Sequence, residues 1–101
     1  MYELKIKEKV RKLIFKLFRR DSVQYWNIKK KILEIQQNPL HSYKFLAEPL
    51  QGFNRVHITS NFVLIFKINH QNRIIEIHHY DHWDNVYKWR PKNDKDNTID
   101  S

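Results

Sequence analysis

A chain of 101 residues that is 41% hydrophobic and 14% aromatic can build one independently folding domain, and it is too rich in aromatic side chains for a disordered body. It has no cysteine, which excludes disulfides and thiolate metal sites and fits a reducing compartment. The formal charge of +8 is uneven: residues 1–50 hold 12 Lys and Arg against 5 Asp and Glu, whereas five of the six histidines lie in the second half. That division suits a nucleic-acid enzyme, with cations for phosphate and imidazoles for protons, and equally a basic binding protein. The longest unbroken apolar run is five residues, far below the ~20 of a membrane span. The Lys-rich start lacks a signal-peptide core, so the expectation is a soluble, cytoplasmic protein with no membrane partner.

Tyr2, Leu4 and Ile6 alternate with charged residues, which predicts a short first strand. The period then changes. Ile6, Val10, Leu13, Ile14, Leu17 and Phe18 fall at helical spacing, with most of the Lys and Arg on the other side. Asp21 is a good N-cap for a second helix, with Gln24 in the capping-box position, Tyr25, Ile28, Ile32 and Ile35 as its buried stripe, and Asn38-Pro39 as its stop. Two helices with almost no linker predict a hairpin packed on one face of a sheet. Residues 38–52 read as an extended loop along the surface, ending in the chain's single glycine, Gly52.

Val56 and Ile58 alternate with Arg55 and His57, giving a strand with one greasy face and one face carrying a cation and an imidazole. Phe62–Phe66 is continuously apolar, the pattern of a central strand covered on both faces. A turn at Asn69–Asn72 and a strand over Arg73–Tyr80 complete an antiparallel meander. The run from His78 to Tyr87 is polar and aromatic, without the periodic greasiness of plain core. Residues 1–89 read as one domain and 90–101 as a mobile tail.

If the hairpin covers the Val56 face, Arg55 and His57 look out from the other, where a cation could hold a phosphate beside a proton carrier; a solvated strand face is the plain alternative. His78, His79, His82, Asp81 and Asp84 are metal-compatible types, but their spacing fits no known signature, and His78 and His79 would point to opposite faces of a regular strand. No metal or cofactor is therefore expected. His82, placed beyond the strand end, is the better proton carrier, with a capping hydrogen bond as its structural alternative. Trp83 and Tyr87 would share a face of a helix, able to stack on unpaired bases or to serve as core.

Taken together, the basic hairpin ending at Asn38-Pro39, the loop elements Tyr43, Lys44 and Leu46 and Pro49-Leu50-x-Gly52, then Arg55-Val56-His57-Ile58, Phe62–Phe66 and the closing Asp81–Tyr87 run resemble the RelE/ParE superfamily of type II toxins. The resemblance spans residues 1–89. It implies an α+β fold: an N-terminal helical hairpin packed on a twisted antiparallel sheet of three to four strands, whose open face binds messenger RNA, commonly on the ribosome. It further implies an endoribonuclease that uses the RNA's own 2′-hydroxyl as nucleophile, without cofactor, inhibiting translation until an acidic antitoxin neutralises it. Where many members carry arginine this chain has Val63, and the histidine-using, YafQ-like members match better. On that basis His57 and His82 are the expected acid/base pair, Arg55 the phosphate clamp and Tyr87 the residue that orients RNA. Lys44, Trp83 and Lys88 are further RNA-binding candidates. The alternatives are a ParE-like, non-enzymatic inhibitor of gyrase and an inactive RNA-binding relative.

Overall fold

The computed structural model describes residues 1–91. Its elements are β1 (Glu3–Ile6), α1 (Glu8–Arg20), α2 (Ser22–Gln37), β2 (Asn54–His57), β3 (Phe62–Asn69), β4 (Ile74–His82) and a 3₁₀ helix (Trp83–Lys88). The sheet order is β1-β4-β3-β2. The expected meander is present, since β2 pairs with β3 and β3 with β4 in antiparallel register. The first strand also forms, but it joins β4 in parallel, so the sheet is mixed. Parallel pairing needs a long crossover, which the hairpin and the first two meander strands supply. The tail expected over 90–101 lies, from residue 92 on, outside the described residues.

The hairpin forms where the sequence places it. Asp21 caps α2 by accepting from the Gln24 N–H at 3.1 Å, and the Gln24 side-chain amide donates to the other carboxylate oxygen at 3.0 Å. Val10 and Ile14 of α1 with Ile28, Ile32 and Ile35 of α2 bury against Leu64 and Phe66 of β3 and Ile75, Ile77 and Tyr80 of β4. Tyr80 ties the layers together: its hydroxyl donates to Gln24 Oε1, and burial raises its pKa, which keeps it a donor.

Alternation turns Val63 and Ile65 to the far face, where a second core roofs them. Leu46, Leu50 and Phe53 of the connecting loop and Val86 of the 3₁₀ helix form this roof, flanked by Trp83, Tyr87 and Trp89. The far face, expected to be open, is thus covered over its middle. Val63 is fully buried beneath the roof, which is a packing reason for an apolar residue there.

One irregularity decides where two histidines go. The β3–β4 register passes from Ile65↔His79 to Phe66↔Ile77, so His78 is an extra residue in β4. Such a bulge resets the alternation. His78 packs on Phe53 and His79 on Trp89, both members or neighbours of the second core, so the two imidazoles share the far face instead of pointing to opposite ones.

Phe66→Ala is expected to lower the unfolding free energy by about 3–5 kcal/mol in urea titrations, the usual cost of truncating a buried aromatic side chain. Val63→Arg buries a guanidinium without a partner under the roof and is expected to cost at least as much.

Candidate functional site

At the β2 edge, Arg55 pairs with Ile65 and His57 with Val63, so both side chains take the far face, as their alternation with Val56 predicts. Beyond β2 the loop runs antiparallel to it. The Arg55 N–H donates to Lys44 O and the Leu46 N–H to Phe53 O, each at 2.9 Å, around a bridge between Phe45 and Asn54. Lys44 therefore lies directly opposite Arg55 on the same face. The buried Asn54 amide holds this arrangement by donating to the carbonyls of Tyr43 and Lys44, both at 3.4 Å.

Trp83, the first residue of the 3₁₀ helix, is the hub. The Arg55 guanidinium carbon sits 5.2 Å from its ring centroid, a cation–π distance. The His57 ring lies 5.7 Å away at 43° and the Tyr87 ring 5.9 Å away at 77°. Tyr87 also accepts from the Ala47 N–H at 2.8 Å, so it pins the loop through its oxygen and keeps its own proton to donate. Lys44, Arg55, His57, Trp83 and Tyr87 thus converge on one strip of the far face. Lys88 is exposed in the last turn of the 3₁₀ helix.

His82 stands apart from that strip. It is the last residue of β4 rather than lying beyond it, and its pairing with Phe62 puts it on the helix side of the sheet, where its ring contacts Phe62 at 5.3 Å. Its Nδ1 accepts from the Asp84 N–H at 3.1 Å, the capping role, which leaves the proton of the neutral ring on Nε2. The two histidines expected to act as a pair therefore occupy opposite faces.

A second imidazole group lies across the roof. His78 Nε2 is 3.0 Å from Glu76 Oε1, and His79 Nε2 is 3.0 Å from Asp81 Oδ2. His79 stacks on Trp89 with centroids 4.7 Å apart and planes 7° from parallel. Burial lowers both pKa values, more than the neighbouring carboxylates raise them, and His78 Nδ1 is buried without a hydrogen-bond partner among the described residues. Among the described residues no three His, Asp or Glu side chains converge as metal ligands would. The His79–Asp81 pair was readable from its i, i+2 spacing on a strand; the alignment of Lys44 with Arg55 was not, because loop register carries no periodic signal.

No protein-family model matches the sequence. The chain is 44% identical over 88 residues to "Putative toxin RelE4" of Methanocaldococcus jannaschii, covering 87% of this chain and 93% of that one. It is 39% identical over 87 residues to an uncharacterised protein of Methanosarcina mazei, covering 86% of this chain and all of the other. Among solved structures, the toxin–antitoxin complex RelBE2 from Mycobacterium tuberculosis contains a chain that superposes with a TM-score of 0.66 at 18% identity, covering 80% of this chain and 96% of that one. A YoeB/ParE toxin from Agrobacterium tumefaciens superposes with a TM-score of 0.68 at 13% identity, covering 79% and 97%. At those identities the superpositions speak to the fold. No helix among the described residues is long and apolar enough to cross a membrane.

Because His78 and His79 have pKa values below the ordinary 6.5, the unfolded chain binds more protons than the folded one once the pH drops past that value. Their contribution to stability is therefore intact above about pH 6.5 and lost as the pH falls below it. Urea midpoints measured across that window are expected to decline in the wild type and to decline less in a His78→Gln/His79→Gln variant. Tyr87→Phe removes the acceptor of the Ala47 N–H and is expected to cost about 1–2 kcal/mol in the same assay.

Proposed function

The chain belongs to the RelE/ParE superfamily of toxins, and we propose that it is an endoribonuclease that cuts messenger RNA on the ribosome, arresting translation until an acidic antitoxin neutralises it. The observation that carries this reading is the strip at the β2 edge, where Lys44 and Arg55 lie opposite each other beside His57, with Trp83 against both Arg55 and His57. Two adjacent cations suit one phosphate, and an exposed imidazole two positions along the same face suits proton transfer at that phosphate. Trp83 and Lys88 complete an aromatic and cationic margin suited to a single strand.

In the proposed reaction the 2′-oxygen attacks the adjacent phosphorus and the bond from phosphorus to the 5′-oxygen breaks, leaving a 2′,3′-cyclic phosphate and a 5′-hydroxyl. One group removes the 2′ proton and another protonates the leaving 5′-oxygen, while Arg55 and Lys44 stabilise the charge on the phosphoryl oxygens between them. His57 takes one of these proton transfers. For the other, Tyr87 shares the Trp83 cluster and His82 lies across the sheet, which favours Tyr87. His82 then supports the site by capping the helix that carries Trp83.

Val63 favours a second reading. Members that cut RNA often carry arginine there, and here the position is occupied by core. A ParE-like inhibitor of gyrase or an inactive relative needs no cation at that point.

The test is mapped cleavage of a defined mRNA, with and without programmed ribosomes. His57→Ala is expected to slow cutting by at least about 10²-fold, the scale of general acid–base catalysis. Tyr87→Phe is expected to slow it more than His82→Ala. Wild-type cutting by His57→Ala rejects the site, and an absence of cuts from folded protein, together with DNA breaks on expression, identifies the gyrase reading.

A further inference from the structure

His57 pairs with Val63 at the start of β3, and the strand ends at Asn69, roughly 20 Å away at about 3.3 Å per residue. At that distant end the chain is tied into a fixed cleft. The Gln36 side-chain amide donates to Tyr2 O at 2.9 Å, which joins the last turn of α2 to the start of β1. Asn38 O accepts from the Tyr43 hydroxyl at 2.9 Å and from the His41 N–H at 3.2 Å, which folds the start of the loop back on the helix end. The Glu3 N–H donates to Arg73 O at 2.9 Å and the Asn72 N–H to Asn69 Oδ1 at 3.0 Å, which anchors the β3–β4 turn. Between these walls is a cavity of about 610 Å³, lined by Tyr2, residues 37–41 and Arg73.

Arg73 marks this cavity as more than a gap. Its φ is +57°, in the left-handed region that residues other than glycine, asparagine and aspartate seldom occupy. Such conformations persist where the surroundings hold them, and they gather at ligand clamps. The side chain itself has no internal partner. Among the described residues the guanidinium makes no hydrogen bond, ion pair or ring contact, and Glu3, next to it across the β1–β4 ladder, takes none from it. A guanidinium whose donors are free, at the wall of a preformed cavity, selects a phosphate or a carboxylate.

The opposite wall has the other polarity. α2 ends there, so its last main-chain carbonyls offer acceptors. The Asn38 side-chain amide donates to Glu34 O at 3.1 Å, which leaves its oxygen as a further acceptor. Between the two poles lie apolar and ring surfaces. Leu40 is 82% exposed at the wall, the Tyr2 hydroxyl is held 3.1 Å from His70 Nδ1, and the His41 ring rests 4.7 Å from that of Tyr43. An anion at one pole, a flat ring in the middle and N–H donors at the other describe one ligand class, and the volume lies in the ordinary range for a small-molecule site.

We infer that the cleft between the C-terminal end of α2 and the β3–β4 turn binds a nucleoside phosphate whose base carries an amino group, with the phosphate on Arg73 and the base against Tyr2, Leu40 and His41. The inference does not rest on the nuclease reading, since none of these residues belongs to the strip at Arg55 and His57.

The test is an NMR titration of the ¹⁵N-labelled full chain with AMP, UMP, adenosine and inorganic phosphate. AMP is expected to shift the amides of Gln37, Leu40, His41 and Arg73. UMP, whose base has no amino group, is expected to bind more weakly, and adenosine and phosphate each at least about tenfold more weakly, because each leaves one pole unmatched. Arg73→Gln is expected to weaken AMP by about tenfold or more, the usual weight of a charge-assisted hydrogen bond. Arg73→Gly separates ligand from scaffold. It is expected to bind AMP no better than R73Q while its urea midpoint rises, because glycine relieves the left-handed backbone. A lowered midpoint with unchanged AMP affinity makes Arg73 a residue of the fold and overturns the inference. Phosphate binding as tight as AMP, an anion site only, also overturns it, as do shifts confined to Lys44, Arg55 and His57, which assign AMP to the strip. A tetra-adenylate that moves the cleft amides at lower concentration than AMP identifies the nucleoside phosphate as part of an RNA chain, and the reverse order identifies a free nucleotide. None of these readouts needs RNA cleavage, so the cleft and the nuclease reading fail separately.

Discussion

β3 must be dry on both faces, and most of the molecule follows from that requirement. Leu64 and Phe66 face the helices, Val63 and Ile65 face away, and all four are fully buried. At about 1.5–3 kcal/mol for each large apolar side chain withdrawn from water, exposure of either face would remove a sizeable part of a stability that totals only ~5–15 kcal/mol in proteins of this kind. The hairpin covers one face. The loop from Leu46 to Phe53 and the 3₁₀ helix must therefore cover the other, and in doing so they bring Trp83 and Tyr87 beside Arg55 and His57.

The roof also divides the far face. On the β2 side are Arg55 and His57 against Trp83, with Lys44 opposite Arg55. On the β4 side are the bulge histidines, each tied to a carboxylate two residues away and packed on an aromatic ring. Imidazoles of one kind thus have different surroundings: His57 is exposed beside a cation, while His78 and His79 are desolvated and biased toward the neutral form. That contrast separates an exposed imidazole from two that are packed into the C-terminal side of the roof, where Trp89 lies over His79.

Charge is distributed by layer as well as by sequence. The helices carry most of the basic excess, and three lysines of α1 line a groove with His79 and Tyr80 of β4, whereas the cations at the β2 edge come from the loop and the sheet. Two positive regions on opposite sides of one sheet can serve different anionic partners. Phosphate favours the side where guanidinium, ammonium and aromatic surfaces coincide.

The sequence by itself determined the elements whose signal is local. The helical stripe of Val10, Ile14 and Leu17, the Asp21 cap, the two-sided run at Phe62–Phe66 and the alternation that sets Arg55 and His57 on one face all follow from short-range periodicity and hydrogen bonding. The shared set of these features also carried the family. What tertiary structure decided was whatever depends on register between segments distant in the chain. The bulge at His78 brings His78 and His79 to one face, and the Phe62↔His82 pairing sends His82 away from His57. The antiparallel run of the loop along β2 sets Lys44 opposite Arg55. β1 stops opposite Ile77 while β4 runs on to His82, so the two edges of the sheet differ in length. Side-chain direction in a sheet changes with every one-residue shift, and pairing across strands, not the composition of any one of them, fixes that shift.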